Sequence, residues 1–250
     1  MQRDELLSTL DDYLSSALIK DYCPNGLQIE GARNVQKITT GVTASQALID
    51  AAIANGSDML LVHHGYFWKG ETPTITGMKQ RRIKSLLANN ISLVAYHLPL
   101  DVHHEIGNNA QLANLLGLEN VSDLPVPPQG IVKMGELATP QTLQQLAKNV
   151  TALLHRTPLV EGASERIVQK VALCTGGGQN YIEQAAQAGA DIFLTGEVSE
   201  QTIHFAREND IAFIAAGHHA TERYGVKALG EYIAREYSLA VEFIDIDNPA

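Results

Sequence analysis

The chain has 250 residues, of which 45% are hydrophobic, and a formal net charge of −10. This length and composition allow a sizeable core in one large domain or two smaller ones, and the charge disfavours nucleic acid and anionic membranes as non-specific partners. The sequence also lacks an apolar run of the roughly 18 residues that a membrane-spanning helix needs, and its N-terminus lacks signal-peptide order, so we expect a cytoplasmic protein.

Short apolar runs rich in β-branched residues alternate with helical patterns along the chain, which is typical of an α/β protein. In chain order the pattern predicts helix 3–19, strand 36–42, helix 44–55, strand 57–63, helix 76–89, strand 91–97, helix 107–116, helix 140–155, strand 166–174, helix 178–188, strand 190–195, helix 199–208, strand 211–216, helix 219–236 and strand 239–245. Asp21–Gly31, DYCPNGLQIEG, has the composition of a turn. The proline-rich Leu124–Gly130 is interpreted as a stiff connection between two halves.

An internal repeat is the most informative feature of the sequence. VQKITTGVTASQALIDAAIANGSDMLLVHHG, which begins at Val35, recurs without a gap as VQKVALCTGGGQNYIEQAAQAGADIFLTGEV, which begins at Val168. The matched pairs are Gly56 and Gly189, Asp58 and Asp191 at an offset of 133, and then His97 and His218, Asp101 and Glu222 at an offset of 121. The 12-residue difference corresponds to an extra loop in the first half. We therefore predict a duplicated αβ unit, with the two copies divided approximately into residues 1–125 and 126–250.

Polar residues gather where the predicted strands of both halves end. His63 and His64 end a strand of the first half, HLPLD follows the next strand, and HHATE follows the corresponding strand of the second half. Ligands of open α/β sheets bind at the carboxyl ends of strands, and imidazole and carboxylate are common metal ligands. The predicted metal ligands are His63, His64, Asp101, His218 and Glu222, in a cleft between the two repeats.

These residues have more ordinary interpretations as well. A single histidine at a strand end is most often structural, and the repeat offset selects His218 rather than His219 as the ligand. His97 could be an outer partner of a ligand, an acid or base, or a structural residue, and Pro99 makes a regular helix after it unexpected. With only Cys23 and Cys174, neither disulfides nor a thiolate zinc site are expected.

The segments GVTAS, LLVHHGYFW, YHLPLD, GNNAQLA, TGE and AAGHHATE together resemble the GTP cyclohydrolase 1 type 2 homolog family of interacting-factor-three-like metal-binding proteins, especially its short bacterial branch. The resemblance covers essentially the whole chain. It implies two intertwined, duplicated αβ repeats with mixed sheets, a dinuclear divalent-metal centre in the cleft between them that is held by the same five residues, and a toroidal homohexamer. Histidine and carboxylate ligands suit Zn, Fe, Mn, Co or Ni as the metal. The segment TGEVSEQTIH lacks histidines that many relatives have there, so the resemblance does not support a metal role for Glu197 or His204.

Two functions follow as hypotheses. The first is a metal-dependent hydrolase that uses metal-bound hydroxide on a nucleotide or a related small anionic substrate, as a GTP cyclohydrolase would, with His97 as proton carrier and catalytic residue. The alternative is a non-catalytic, metal-stabilised ring that binds a protein or nucleic-acid partner, in DNA repair or regulation. Nucleic acid would require basic residues such as those of KQRRIK, Lys79–Lys84, to line the opening, whereas such charges on a helix usually form a solvated face.

Overall fold

The computed structural model describes all 250 residues, Met1 to Ala250, as a mixed α/β structure with two mixed sheets, which confirms the predicted fold class. The α-helices are α1 (Arg3–Tyr13), α2 (Gln46–Ala54), α3 (Gly77–Ala88), α4 (Leu98–Val102), α5 (Asn108–Leu115), α6 (Leu143–Leu154), α7 (Ile182–Gln187), α8 (Glu200–Glu208) and α9 (His218–Tyr237). The strands are β1 (Gly26–Ile29), β2 (Lys37–Thr43), β3 (Met59–His64), β4 (Ser92–Ala95), β5 (Leu118–Asp123), β6 (Lys133–Thr142), β7 (Leu159–Glu161), β8 (Ile167–Cys174), β9 (Ile192–Thr195), β10 (Ala212–Ala215) and β11 (Ala240–Phe243). None of the helices has both the length and the apolar character that crossing a membrane requires.

The chain forms two compact units, each with one sheet. The first unit contains residues 1–100 and 225–246, and the second contains residues 101–224 and 247–250. Both units are discontinuous in sequence because the chain enters the first unit again within α9. The approximate division at residue 125, which we drew from the repeat, concerns the two copies of the repeat and does not coincide with the limits of these units.

The two sheets share a strand order. The first sheet has the order β1-β4-β3-β2-β11, and the second has the order β7-β10-β9-β8-β6-β5. In each sheet three parallel neighbours, β2 to β4 or β8 to β10, are followed by an antiparallel edge strand, β1 or β7. The sheets differ at their other side, because β11 is parallel to β2 whereas β6 is antiparallel to β8. The four shared strands are the structural counterpart of the sequence repeat.

The matched polar residues of the repeat have the same structural role in both units. The carboxylate of Asp58 accepts hydrogen bonds from the backbone N–H groups of Gln36 and Lys37, at 2.8 and 3.0 Å. The carboxylate of Asp191 accepts the corresponding bonds from Gln169 and Lys170, at 2.9 and 2.8 Å. Each aspartate thus ties the start of one strand to the start of its parallel neighbour, which no amphipathic pattern would require.

Several predicted elements differ from the structure. The predicted helix 3–19 ends at Tyr13, because Ser15 adopts a left-handed conformation with φ 51°. The turn expected at Asp21–Gly31 includes strand β1, and a helix does follow His97, since Pro99 lies in the first turn of α4 where its missing N–H costs nothing. The interpretation of Leu124–Gly130 as a connection between halves is wrong, because this segment joins β5 to β6 inside the second unit.

The core of the first unit fixes the strands that carry the candidate histidines at their ends. Met59 to Val62 of β3 are apolar and fully buried, and Leu93 to Ala95 of β4 are as well. Helix α2 covers this sheet with Leu48 and Ile49, which are also buried. A strand this deeply embedded fixes the position of whatever side chain follows it, and in β3 those side chains are His63 and His64.

Candidate metal centre

Three histidines of the first unit form one cluster, which we call the imidazole cluster: His63, His64 and His97. His63 and His64 end β3, and His97 follows the neighbouring parallel strand β4. Their ring centroids are 4.4 Å (His63 to His64), 5.2 Å (His63 to His97) and 5.8 Å (His64 to His97) apart. One ring nitrogen from each lies within 4.8 Å of the other two, a separation that one bound ion could bridge.

The Nδ1 atoms of the imidazole cluster already have hydrogen-bond partners. His63 Nδ1 donates to the carbonyl oxygen of Tyr96 at 3.0 Å, and His64 Nδ1 lies 3.2 Å from the hydroxyl of Thr43. His97 Nδ1 is 2.7 Å from the carboxylate of Asp21. Metal-binding histidines characteristically use one ring nitrogen in this way, which fixes the ring and leaves the other nitrogen for the metal.

Asp21, which the sequence indicated only as part of a turn, holds His97 in place. Burial alone would raise the pKa of Asp21, but its hydrogen bond to His97, the charge of that imidazole and further N–H donors lower the pKa to about 2. The side-chain amide of Asn25 and the backbone N–H of Leu98 donate to the other carboxylate oxygen. Asp21 is therefore an ionised hydrogen-bond acceptor that fixes His97 across 76 residues of sequence.

Cys23 lies within 4.8 Å of donor atoms of Asp21 and His97, but this trio is a poor metal site. Four N–H groups already occupy the Asp21 carboxylate, including the backbone N–H of Tyr22, so a metal would have to displace them. Burial, followed by the charge of Asp21, raises the pKa of the Cys23 thiol to about 12, which keeps the thiol protonated.

The second unit has its own donor group, which we call the acidic cluster: Asp101, His218 and Glu222. Asp101 and Glu222 are almost fully buried, with 4% and 3% exposure, and one oxygen of each lies within 4.8 Å of the other. His218 and Glu222 are one turn apart at the start of α9, and His218 Nε2 is 3.1 Å from a Glu222 carboxylate oxygen. Two buried carboxylates this close favour a bound cation, because their mutual repulsion is otherwise compensated only in part.

Glu197 contacts the acidic cluster through His218. Its carboxylate oxygen Oε1 accepts a hydrogen bond from His218 Nδ1 at 2.7 Å. Burial lowers the pKa of His218, but the hydrogen bonds and charges of Glu222 and Glu197 outweigh it and raise the pKa to about 9. Without a metal, His218 is thus an imidazolium between two carboxylates, and a cation that binds Nε2 would replace its proton.

Two asparagines of α5 support the acidic cluster. The side-chain amide of Asn108 donates to the Asp101 carboxylate at 2.8 Å. Asn109 donates to the Asp101 carbonyl and accepts hydrogen bonds from the backbone N–H and the hydroxyl of Thr175. Both asparagines are fully buried. Their hydrogen bonds connect α4 and α5 to the glycine-rich loop after β8, which contains Gly176, Gly177 and Gly178. In the sequence both residues stand out only as part of GNNAQLA, one of the segments that carry the family resemblance.

The glycine-rich loop after β8 leaves room for Glu222. Gly176 has φ +62°, and a Cβ atom at this position would collide with the Glu222 carboxylate. The backbone N–H of Gly176 donates to the hydroxyl of Thr221 at 3.0 Å, which joins the loop to α9. The loop therefore shapes the acidic cluster.

Trp68 borders the imidazole cluster. Its ring meets His97 edge to face with a centroid distance of 4.9 Å, and it lies 5.9 Å from His64. Tyr66 is buried and donates to the carbonyl oxygen of Ala44, so it packs inside the unit. Phe67, by contrast, is exposed and has φ 65°, a conformation that a bulky residue rarely adopts.

Each of the five expected ligands belongs to at least one group of donors that could hold a metal ion. His63 and His64 lie in the first unit, and Asp101, His218 and Glu222 lie in the second. Imidazole nitrogens combined with carboxylate oxygens suit divalent transition metals. His204 lies outside both clusters, on the surface beside Glu200. His219, the neighbour that the repeat offset passes over, is buried, and its backbone N–H donates to the carbonyl oxygen of Ala250.

Known proteins resemble the chain along its full length. The family model of Duf34/NIF3, NGG1p interacting factor 3, matches residues 1–249. The chain belongs to this family. It is 58% identical over 246 residues to a GTP cyclohydrolase 1 type 2 homolog of Pseudomonas aeruginosa, covering 98% of this chain and 97% of that protein. A protein of the same description from Haemophilus influenzae is 57% identical, with full coverage of both chains.

A solved structure confirms the fold. The structure of protein ybgI, described as of unknown function, superimposes with a TM-score of 0.95 at 55% identity and covers all of both chains. The family membership that the sequence motifs predicted is therefore confirmed. The names of the relatives state homology to a cyclohydrolase, and the ybgI structure carries no activity in its description.

Proposed function

We propose that this protein is a metal-dependent hydrolase that binds two divalent ions through His63, His64, Asp101, His218 and Glu222. The observation that carries the proposal is the arrangement of Nδ1 partners in the imidazole cluster, where His63, His64 and His97 each have that nitrogen satisfied. In metal-binding histidines one ring nitrogen is held by such a partner and the other, here Nε2, is the one that binds the metal. Histidines with a merely structural role would not need the same nitrogen, Nδ1, to have a hydrogen-bond partner in all three rings.

Charge balance supports a contribution from both clusters. The imidazole cluster supplies neutral donors, whereas Asp101 and Glu222 supply two negative charges at buried positions. Two divalent cations bring four positive charges, so a site made only of imidazoles would leave them poorly compensated. The proposal therefore assigns ligands from the two clusters to the same pair of ions.

Bound divalent ions would lower the pKa of a water molecule and polarise an electrophilic centre of the substrate. The chain itself would supply the proton transfer. His97 is fixed by Asp21 through Nδ1, so its Nε2 is the atom that would accept or return a proton. Histidine suits this role because its charge changes near neutral pH without much adjustment.

For the substrate we propose a nucleotide or a related small anionic molecule. The relatives are described as GTP cyclohydrolase 1 type 2 homologs, which suggests hydrolysis of a purine nucleotide. Trp68 borders His64 and His97, and Lys69, the next residue, is exposed. An indole ring can stack on a base, and an ammonium group can meet a phosphate.

The test compares wild type with His64→Ala, Glu222→Ala and, as the matched control, His204→Ala, which removes a surface histidine outside both clusters. Metal content is measured by elemental analysis, and GTP turnover is followed with the metal found. We expect about two equivalents of metal and turnover in wild type and in the control. In the other two variants we expect loss of both, because each removes a ligand of the shared pair.

Other outcomes would redirect the proposal. Metal without turnover would favour the non-catalytic ring that binds a protein or nucleic-acid partner. No metal in wild type would refute the ligand assignment. The proposed homohexamer is checked on the same samples by light scattering coupled to size exclusion, where a mass near six times 27.1 kDa is expected.

A further inference from the structure

We propose that Glu197 is a positioning residue for the acidic cluster. Its carboxylate accepts a hydrogen bond from His218 Nδ1 and thereby orients the imidazole so that Nε2 binds the metal. This inference rests on the proposed metal role of His218. The sequence pattern assigns no role to Glu197, whose repeat counterpart, at an offset of 133, is the proposed ligand His64.

The geometry favours orientation rather than direct ligation. Glu197 Oε1 accepts from His218 Nδ1 at 2.7 Å, and Oε2 accepts from the side-chain amide of Gln179 at 3.4 Å. Both carboxylate oxygens are therefore engaged on the Nδ1 side of the imidazole. Glu222, on the other side, contacts Nε2 at 3.1 Å, so the metal-facing atom of His218 is already directed towards a buried carboxylate.

Backbone hydrogen bonds fix the position of Glu197 at the end of β9. Glu197 follows β9, and its backbone N–H and that of Gly196 both donate to the carbonyl oxygen of Gly176, at 3.1 and 3.0 Å. This contact joins the ends of β8 and β9 directly beside the start of α9. The carboxylate therefore meets His218 from a rigid strand end, although half of the Glu197 side chain is exposed.

The imidazole cluster has the same arrangement from a different position in the repeat. There Asp21 accepts from His97 Nδ1, also at 2.7 Å. His97 and His218 are repeat counterparts, but Asp21 and Glu197 are not, since Asp21 precedes β1 and Glu197 follows β9. The same carboxylate–imidazole pair thus occurs at both repeated histidines with carboxylates from unrelated positions. Shared ancestry does not explain this, whereas a common need to orient the ring does.

The experiment measures cobalt affinity rather than activity. Chelator-stripped full-length wild type, Glu197→Gln, Glu197→Asp and Glu200→Gln are titrated with Co²⁺ against a chromophoric chelator, and the visible absorption of the bound cobalt is recorded. Removing an outer-shell partner of a histidine ligand typically weakens metal affinity by about 10–100-fold. We expect that loss and an altered spectrum in Glu197→Gln, with partial recovery in Glu197→Asp.

Glu200→Gln is the matched control, because Glu200 is an exposed carboxylate 3.8 Å from His204 and outside both clusters. Its affinity should equal that of wild type. An affinity of Glu197→Gln within twofold of wild type would overturn the inference, and equal thermal unfolding of the two proteins excludes misfolding as the cause of a loss.

A second measurement separates this inference from the proposed function. In metal-free protein with ¹⁵N-labelled histidine, NMR should detect a slowly exchanging Nδ1 proton of His218 in wild type that is lost in Glu197→Gln. Absence of this proton in wild type would refute the contact. Failure of wild type to bind cobalt would refute the proposed function, and with it the metal role of Glu197, even if the proton is detected.

Discussion

Replacing Gly176 by alanine should disturb the acidic cluster without replacing any of its three residues. Gly176 has φ +62°, and an added Cβ would collide with the carboxylate of Glu222 and come within 3.1 Å of His218 Nε2. Glu222 is only 3% exposed, so its carboxylate has little room to move away. We expect the substitution to displace the side chain that the metal requires.

The magnitude has two parts. A non-glycine residue in the left-handed region costs about 1–2 kcal/mol, which lowers Tm by about 2–8 °C in a chain of this size. The collision adds a loss of metal affinity. Gly189→Ala isolates the first part, because Gly189 has φ +81° but no atom near the position of its Cβ.

The assay combines differential scanning calorimetry of the metal-free proteins with cobalt titration. Both variants should unfold at a lower temperature than wild type, but only Gly176→Ala should bind cobalt more weakly. If Gly176→Ala bound cobalt as tightly as Gly189→Ala, the loop would not shape the acidic cluster and the reasoning would be refuted.

Three further results are expected. Trp68, the only tryptophan of the chain, should lose fluorescence when paramagnetic Co²⁺ binds beside it. If its emission does not change once equilibrium dialysis shows that the protein is saturated with Co²⁺, the ion binds elsewhere. Asp58→Ala and Asp191→Ala should each lower the free energy of unfolding, measured in urea, by about 1–3 kcal/mol, since each removes the acceptor of two backbone N–H groups. Replacement by Asn should cost less, because the amide oxygen can still accept part of these hydrogen bonds. Unchanged stability after Asp→Ala at either site would contradict the equivalence of the repeats. In the metal-free protein the folded-state pKa of His218, about 9, exceeds its ordinary value of 6.5, so its stabilising contribution is full below pH 6.5 and disappears as pH rises through 9. The difference in unfolding free energy between wild type and His218→Gln should shrink over that interval, and a constant difference would argue against the ion pairs.

The predicted elements and the structure agree where burial dominates. All seven predicted strands exist. Strands such as β3 and β9 are buried on both faces and appear as continuous apolar runs, whereas β11 is a partly exposed edge strand. The four strands that were missed, β1, β5, β6 and β7, lie at or near sheet edges. Strand β5, LENVSD, is mostly exposed, and β6 contains Pro140 within an irregular register, so neither has a strand pattern.

In the candidate site, too, the sequence indicated some residues and not others. The strand-end histidines were visible because they interrupt apolar runs, and the repeat selected His218 over its neighbour His219. The orienting carboxylates Asp21 and Glu197 were not visible, since their hydrogen bonds to histidine span 76 and 21 residues. Contacts of that range depend on strand order and not on local pattern.

By itself the sequence determined the family, the duplication and the chemical types of the donors, because these follow from periodicity and from residues that a buried strand does not otherwise need. Only the tertiary structure decided which partner holds Nδ1 of each ring and which carboxylates orient the rings. Those choices depend on hydrogen bonds between parts of the chain that come together only when the parallel strands of each unit align.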